Sequence, residues 1–454
     1  MLSLFSDMAH TASRTAGYQK TLRHLLAHTL CQGKHTVTQL LRTAGQQHSD
    51  WSADYRLYSS QLRACALFEP IIKGVEGLLD EQQPLVLAVD DSMMGKTGHK
   101  IPGTGWHRDS QSPPFHTNLK YSLRFVQLSA AVHPFDHLEC SRLIPVAFEL
   151  IPKLPKLPPE PDPEERARYQ ANSPGMHALH LLKSVRQHLG PERPIYLTGD
   201  GGYTNTNFLR GIPERVVYFG RCRGDMNLRA IPDPCPSHGK GRPLAYGRKL
   251  PTPEELRNDE QVSWQACILN KRGKQTTFRF KHIPQARSRI TGEKAIIQVV
   301  VIAGLRYKKR KDASWSYTRP AYVMCTDPSL DPRKVIEVYS MRWGIEVNFK
   351  EEKQLFGIGH PQVRHPQSVT AAPTLAVAAY AALHLAAIRA FGYRKLPPAV
   401  SLPKWRKRKP PRRLATLDLI TQLQHETNVH YLNFSGFASA TSPNRTLRKA
   451  ALAA

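Results

Sequence analysis

Three acidic residues stand where a folded chain could bring carboxylates together. Asp90 closes the run LVLAVDDS, with Asp91 beside it, Asp200 closes PIYLTGD, and Glu346 lies within DPRKVIEVYSMRWGIEVNFKEEK. Both aspartates end apolar, β-branched runs that read as strands. Carboxylates at the carboxyl ends of neighbouring parallel strands face one crevice, and a helix packed across it can supply a third. Three hard oxygen donors suit Mg2+ or Mn2+, which keep waters and bind substrate phosphates. Two such ions about 3.5–4 Å apart can activate a nucleophile and stabilise the leaving oxygen of a phosphodiester. Taken singly, an acid at a strand end more often caps a turn or a helix, so only convergence of all three carries this chemistry.

The third acid has company. Tyr339, Arg342, Glu346, Lys350 and Lys353 follow one another at steps of three and four residues, which on one helix would place them along a narrow stripe. A solvated charged face is the ordinary explanation of such a stripe. It also sets one metal-binding acid among phosphate-binding groups. Arg342 offers a planar fork and Lys353 a point charge, while Tyr339 can bond a phosphate or stack on a base.

The composition points to the kind of substrate. Lys and Arg number 64 against 36 Asp and Glu, a formal charge of +28 over 454 residues. So positive a chain is a poor fit to a small-anion metabolic enzyme or a neutral scaffold and a good fit to a polyanion partner, either nucleic acid or an anionic membrane. The N-terminus MLSLFSDMAH lacks a basic region followed by an apolar run, and the apolar stretch 375–388 contains His384. That stretch is shorter than the ~18 residues of a spanning helix and reads as a buried helix, so no membrane is expected. The seven cysteines (Cys31, Cys65, Cys140, Cys222, Cys235, Cys267 and Cys325) are odd in number and include no C-x-x-C pair. They suggest neither a disulfide framework nor a zinc ribbon, and Cys235 with His238 has no second ligand pair nearby. A reducing, cytoplasmic setting is expected.

The elements that must position the acids read as follows. Residues 1–80 are helical, and KHTVTQLLRTAGQQHSDWSADYRLYSS is compatible with a helix-turn-helix or with an ordinary bundle. Residues 81–225 run strand, strand, strand, helix, strand, helix, strand, with a polar loop expected over 92–115 and one helix over 164–190. Residues 226–328 change to strand-like runs (TTFRFKHI, AIIQVVVIAGL, AYVMCTD) with little helix, a β-rich insertion. Helices resume over 329–395. Residues 396–454 hold a basic linker, PKWRKRKPPRR, and a tail.

The run Y-S-M-R-W-G-I-E-V-N-F-K-E-E-K spaces Tyr, Arg, Glu and Lys with two, three and six residues between them. It resembles the signature of DDE, RNase H-like insertion-sequence transposases, and within that type it is similar to the insertion-sequence-four superfamily. VDDS resembles the family's first-strand motif and selects Asp90, although Ser92 stands where Thr is common. GDGGY resembles the second motif and selects Asp200. The resemblance covers about residues 85–390. It implies an α/β RNase H-like mixed sheet, interrupted by a β-rich insertion before the catalytic glutamate, with an N-terminal helical DNA-binding region.

It further implies that Asp90, Asp200 and Glu346 are catalytic and hold two Mg2+ or Mn2+ ions. Tyr339, Arg342, Lys350 and Lys353 would contact double-stranded DNA, both transposon ends and target. The activity implied is cut-and-paste cleavage and strand transfer at the inverted ends of an insertion sequence, by a homodimer located in the cytoplasm on the nucleoid. An insertion-domain Trp, with Trp264 and Trp315 as candidates, could stack on a flipped base, although a core role is the more usual one. RYKKRK (306–311) with Trp315 and Tyr317, and the 403–413 run, suit DNA-backbone contact. MGKTGHK lacks the earlier glycine and following helix of a P-loop, so nucleotide binding is not expected; Lys96, His99 and Lys100 are instead candidates to lie beside the site's phosphates. The rival readings are a structure-specific nuclease without strand transfer and a domesticated protein that only binds DNA.

Overall fold

The apolar run that ends at Asp90 pairs on both sides. In the computed structural model, residues 1–109, 112–113, 115–116, 118–132, 142–232, 244–271, 274–310, 312–392 and 415–429 are described. The helices and strands begin α1 (Leu2–Ala12), α2 (Thr15–Leu30), α3 (Val37–Thr43), α4 (Ser52–Arg56), α5 (Glu69–Glu76), β1 (Leu85–Gly95), β2 (Gly105–Arg108), β3 (Leu119–Ala131), β4 (Leu143–Ile151), α6 (Pro163–Ala171) and α7 (Pro174–Leu189). They continue β5 (Ile195–Gly199), α8 (Thr206–Gly211), β6 (Val216–Arg221), α9 (Pro253–Asn258), β7 (Gln265–Lys271), β8 (Lys274–Ala286), β9 (Ile297–Ile302), β10 (Arg306–Lys308), β11 (Trp315–Tyr317), β12 (Ala321–Cys325), α10 (Pro332–Met341), α11 (Trp343–Gln354), α12 (Pro366–Phe391) and α13 (Thr416–Val429). Cys140, Cys235, His238, Lys311 and the 403–413 run lie outside the described residues.

One ten-stranded sheet runs β2-β3-β1-β5-β6-β12-β9-β8-β7, with β4 also on β3. Strands β1, β3 and β4 are antiparallel neighbours, whereas β1, β5 and β6 are parallel. This is an RNase H-like mixed α/β arrangement, three antiparallel strands followed by two parallel ones. Residues 85–89 are all buried because helices cover the sheet, the usual reason a parallel-type strand reads as an unbroken apolar run. Helix α7 packs on β3 and β4, and α10 on β5, β6, β9 and β12.

Strands β7, β8, β9 and β12 of 226–328 join the main sheet, while β10 and β11 pair as a separate two-stranded sheet. Strand β12 pairs with β6, and β9, β8 and β7 follow outward. Hydrogen-bonding edges left open at β6 are completed by this segment. Residues 71–350 form one compact unit and residues 1–70 with 351–454 another.

Three local readings differ from those of the sequence. The polar 92–115 segment carries strand: β1 continues to Gly95, and β2 pairs with β3 from Gly105↔Ser122 to Arg108↔Leu119. The 164–190 helix is two helices, because Pro174 at the first turn of α7 lacks the N–H a continuous ladder needs and the Ser173 side chain accepts from Met176 N instead. The third difference, a break at Arg342, belongs to the site.

Gly220 on β6 is a close-packing position. A Cβ there would come 2.2–2.5 Å from the ring of Tyr218, which is itself fully buried. Gly220→Ala is expected to destabilise the 71–350 unit by about 3 kcal/mol, an overpacking cost. A fall in the urea midpoint without change in slope would show it.

In the other unit, α12 is long and apolar enough to span a bilayer by composition alone, yet 89% of its most apolar window is buried in protein. It packs on α2 and on the short turns 57–61 and 64–68. Buried histidines of this unit include His24, His28 and His35. His28 Nδ1 is 3.3 Å from His35 Nδ1, and His35 N donates to His360 Nδ1 at 3.1 Å. Burial, with His360 adding to it, holds His35 down at about 4; His28 and His24 are lowered in the same direction, again mainly by burial. Below pH 6.5 the unfolded chain binds protons that the folded unit refuses, so stability falls as pH falls from 6.5 through 4. His35 alone contributes a loss of roughly 3 kcal/mol by pH 4. Urea midpoints at pH 7, 5.5 and 4.5 should decline in the wild type and decline less in His35→Gln.

Candidate active site

The register of two strands places the first two acids. Pairing of β1 with β5 runs from Leu85↔Ile195 to Ala88↔Thr198, and two residues further both chains reach an aspartate. Gly199, just before Asp200, lies against Val89, since a Cβ there would stand 3.1 Å from Val89 Cγ1. Asp90, in the middle of β1, and Asp200, just past the end of β5, therefore stand at the same level of neighbouring parallel strands. The Gly201-Gly202 turn then folds back. Gly202 N donates to Asp200 Oδ1 at 2.8 Å, and Tyr218 Oη donates to the Asp200 carbonyl at 3.3 Å.

The pleat of β1 separates the two adjacent acids. Asp91 accepts from Arg124 Nε at 2.7 Å and from Tyr203 Oη at 3.3 Å. Asp90 turns to the other face, where Arg342 Nη1 donates to Asp90 Oδ2 at 2.8 Å. The second arm of the same guanidinium, Nη2, donates to Glu346 Oε1 at 2.7 Å. One planar fork thus spans two of the three acids and holds those oxygens within about 8 Å of each other. Burial pushes Asp90 up to about 7; the Arg342 cation opposes this and the Asp200 charge adds to it. The net upward shift means that burial outweighs the ion pair, which is reasonable for a carboxylate with one cation and two acids around it.

Glu346 is delivered by α11, and the sequence explains how that helix docks. Phe349 packs edge-on to Phe125 of β3, with centroids 5.2 Å apart. The buried Asn348 amide donates to the Leu143 carbonyl at 3.0 Å and to Ser129 Oγ at 3.3 Å. Gly344 passes Leu143 so closely that a Cβ would lie 2.6 Å from its Cγ. The expected single helix is in fact two, α10 and α11, joined at Arg342. There Arg342 N bonds Tyr339 O and Ile345 N bonds Arg342 O, the tighter three-residue step seen at helix ends. The stripe is therefore shared between two helices. Tyr339 ends α10 beside Arg342, and its phenol is raised mainly by burial, with the Arg342 cation opposing. Lys350 is exposed one turn beyond Glu346. Lys353 is on α11 two turns beyond Glu346, in the part of the helix that belongs to the other compact unit.

Several participants carried no recognised signal. Arg124 and Tyr203 occupy Asp91, and Asn348 locks α11; a polar residue between Ile345 and Phe349 on a packed helix was the available hint for the last. Trp343, beside Arg342, is half exposed. Of the two insertion tryptophans, Trp264 packs against the core around Val299 and Met324, whereas Trp315 is exposed with Arg306 stacked 3.9 Å over its ring. Lys96 is buried and its ammonium is lowered to about 8 by burial; it lies six residues past Asp90, roughly 20 Å along the strand, so it does not stand beside the acids.

The donor set fits a hard divalent cation in kind. Arg342 bridges the Asp90 and Glu346 carboxylates, and the charge of Asp200 is felt at Asp90. Among the described residues, no three His, Cys, Asp or Glu side chains are grouped closely enough to hold a metal ion together.

Residues 168–382 match the family described as Transposase DDE domain, a little under half of the chain. The match takes in Asp200 and Glu346 and begins after Asp90. With the RNase H-like sheet, it supports a DDE transposase, an enzyme class that acts on DNA and generally uses divalent metal ions. Comparison with curated proteins gave no match.

Proposed function

We propose that this protein is a cut-and-paste transposase of the insertion-sequence-four type, cleaving the inverted ends of its own element and joining them to target DNA. The observation that carries this reading is the ion-pair link between Asp90 and Glu346 beside the strand that leads into Asp200. Asp90, within β1, and Asp200, just past the end of β5, lie on neighbouring parallel strands, and Glu346 of α11, a helix docked on β3 and β4, is tied to Asp90 through Arg342. Asp90, Asp200 and Glu346 would hold two Mg2+ or Mn2+ ions. When bound, these lower the pKa of an attacking hydroxyl and neutralise the leaving oxygen.

The chain's own residues do the rest. Arg342 keeps the Asp90 and Glu346 carboxylates oriented, and its fork suits a phosphate's oxygens equally well. Tyr339 stands beside it. Lys350 and Lys353 continue the positive line along α11 for the DNA backbone, and the +28 charge draws DNA to the surface. Asp90 rather than Asp91 would be the ligand, because Asp91 bonds Arg124 and Tyr203 on the opposite face of β1 from Arg342 and Glu346. A homodimer would synchronise cutting at two ends, in the cytoplasm at the nucleoid, with residues 1–80 as an end-binding region.

The test uses DNA carrying the element's ends. Purified protein with Mg2+ should nick that DNA at the end boundary, and pre-cut ends mixed with plasmid should yield integrants. Nicking without integrants would leave a structure-specific nuclease; binding without nicking would leave a DNA-binding protein.

A further inference from the structure

The strand that carries Asp90 does not stop at the site. It runs on to Gly95, where β2 takes over on the other side of β3, and β2 and β3 continue as a two-stranded ribbon. Opposed residues of antiparallel strands share a face. The pairs Asp90↔Gln127, Ser92↔Phe125 and Met94↔Leu123, continued by Trp106↔Tyr121 and Arg108↔Leu119, therefore place Trp106 and Arg108 on the face that bears Asp90. Near Asp90 that face is covered, because Phe125 meets Phe349 of α11. At the far end it opens. Trp106 is 56% exposed and Leu119 57%.

Trp106 is held rather than loose. Its ring meets Tyr121 at 5.4 Å and 69°, and Tyr121 in turn meets the exposed His99 at 4.6 Å. Tyr121 Oη is fixed by Thr104 Oγ1 at 2.7 Å. An edge-to-face contact leaves at least one indole face uncovered by Tyr121. Residues 95–125 include five Lys and Arg but only one acid. Of these cations, Lys100, Arg108 and Lys120 are exposed, and Arg124 is already paired with Asp91.

We propose that the end of this ribbon is a binding platform for an unpaired DNA strand flanking the cut. A base stacks on Trp106, and Arg108 and Lys100 meet the phosphates on either side. A rigid, open indole face set among cations suits a splayed base, since the bases of intact duplex already stack on each other. From Asp90 to the level of Trp106 is roughly 20 Å along the strand, so the platform addresses DNA several nucleotides from the scissile phosphate. This rests on the reading of Asp90 as part of a DNA-cutting site.

The test measures binding by the full chain, using fluorescence anisotropy at fixed salt. One probe is a blunt 20-base-pair duplex and the other the same duplex with a five-nucleotide single-stranded tail. Wild type should prefer the tailed probe. Trp106→Ala should bind the tailed probe roughly 5- to 100-fold more weakly and the blunt probe unchanged, while Trp106→Phe keeps most of the preference. Arg108→Glu should weaken tailed binding and reduce its salt dependence. Absence of a tail preference in wild type, or a Trp106→Ala protein that keeps it, would overturn the platform. Mg2+-dependent nicking by wild type is scored on the same preparations. Nicking without a tail preference removes the platform alone; a Trp106-dependent preference without nicking removes the nuclease reading and keeps the platform.

Discussion

Asp200→Asn is expected to lower metal-dependent DNA nicking by about three orders of magnitude or more, as removal of one member of a concerted site does, with DNA binding retained. The substitution suits the position because the fold needs only an acceptor there. The amide oxygen of Asn can still take the bond from Gly202 N, and the Asp200 carbonyl bond from Tyr218 Oη is a backbone contact. What disappears is the charge. Asp90→Asn and Glu346→Gln should have losses of the same order, with no additivity in the double variants. Asp91→Asn is the control. Its carboxylate is engaged by Arg124 and Tyr203 on the opposite side of the strand, so nicking should stay within about tenfold of wild type, the scale of an indirect effect. A dead Asp91→Asn beside an active Asp90→Asn would reverse the roles of the two acids. Rates of plasmid nicking at saturating Mg2+, with circular dichroism as a folding check, decide the matter.

Arg342→Ala is expected to have the next largest effect, on stability and activity together. Arg342 and Asp90 are 16% and 15% exposed, so removing the guanidinium leaves a largely buried carboxylate without its cation. Breaking such a pair costs roughly 3 kcal/mol, reduced to the extent that Asp90 takes up a proton. Glu346 loses its anchor at the same time, and its carboxylate is freed to other rotamers. Arg342→Lys should recover part of the stability and little of the nicking, because an ammonium cannot present two parallel arms to two acids. Urea midpoints and nicking rates for both variants separate the two effects. Equal nicking by Arg342→Lys and wild type would show that one positive charge suffices and that the fork has no special part.

The elements around the acids were legible in the sequence because each carries a local pattern. The run 85–89 is apolar throughout since both faces of its strand are covered, and β5 and β6 read as strands for the same reason. The 226–328 segment read as strand-rich, yet nothing local could say that it would complete the open edge at β6, because strand partners are chosen by hydrogen bonding between residues far apart in the chain. The extension of β1 past Asp90 was hidden by polar and glycine residues whose strand character comes from pairing with β3 and β2 rather than from their own propensity.

The site divides in the same way. Residue type and apolar runs pointed to the Asp90–Asp91 pair, Asp200 and Glu346, with Arg342 on the same stripe, and the family resemblance selected Asp90 and Asp200 among them. Which acid of the Asp90–Asp91 pair faces Glu346 was decided by the pleat and by the partners Arg124 and Tyr203. That Arg342 holds two acids at once was decided by the tighter step between α10 and α11. Both outcomes follow from the relative placement of strands and helices that only packing of the whole unit establishes.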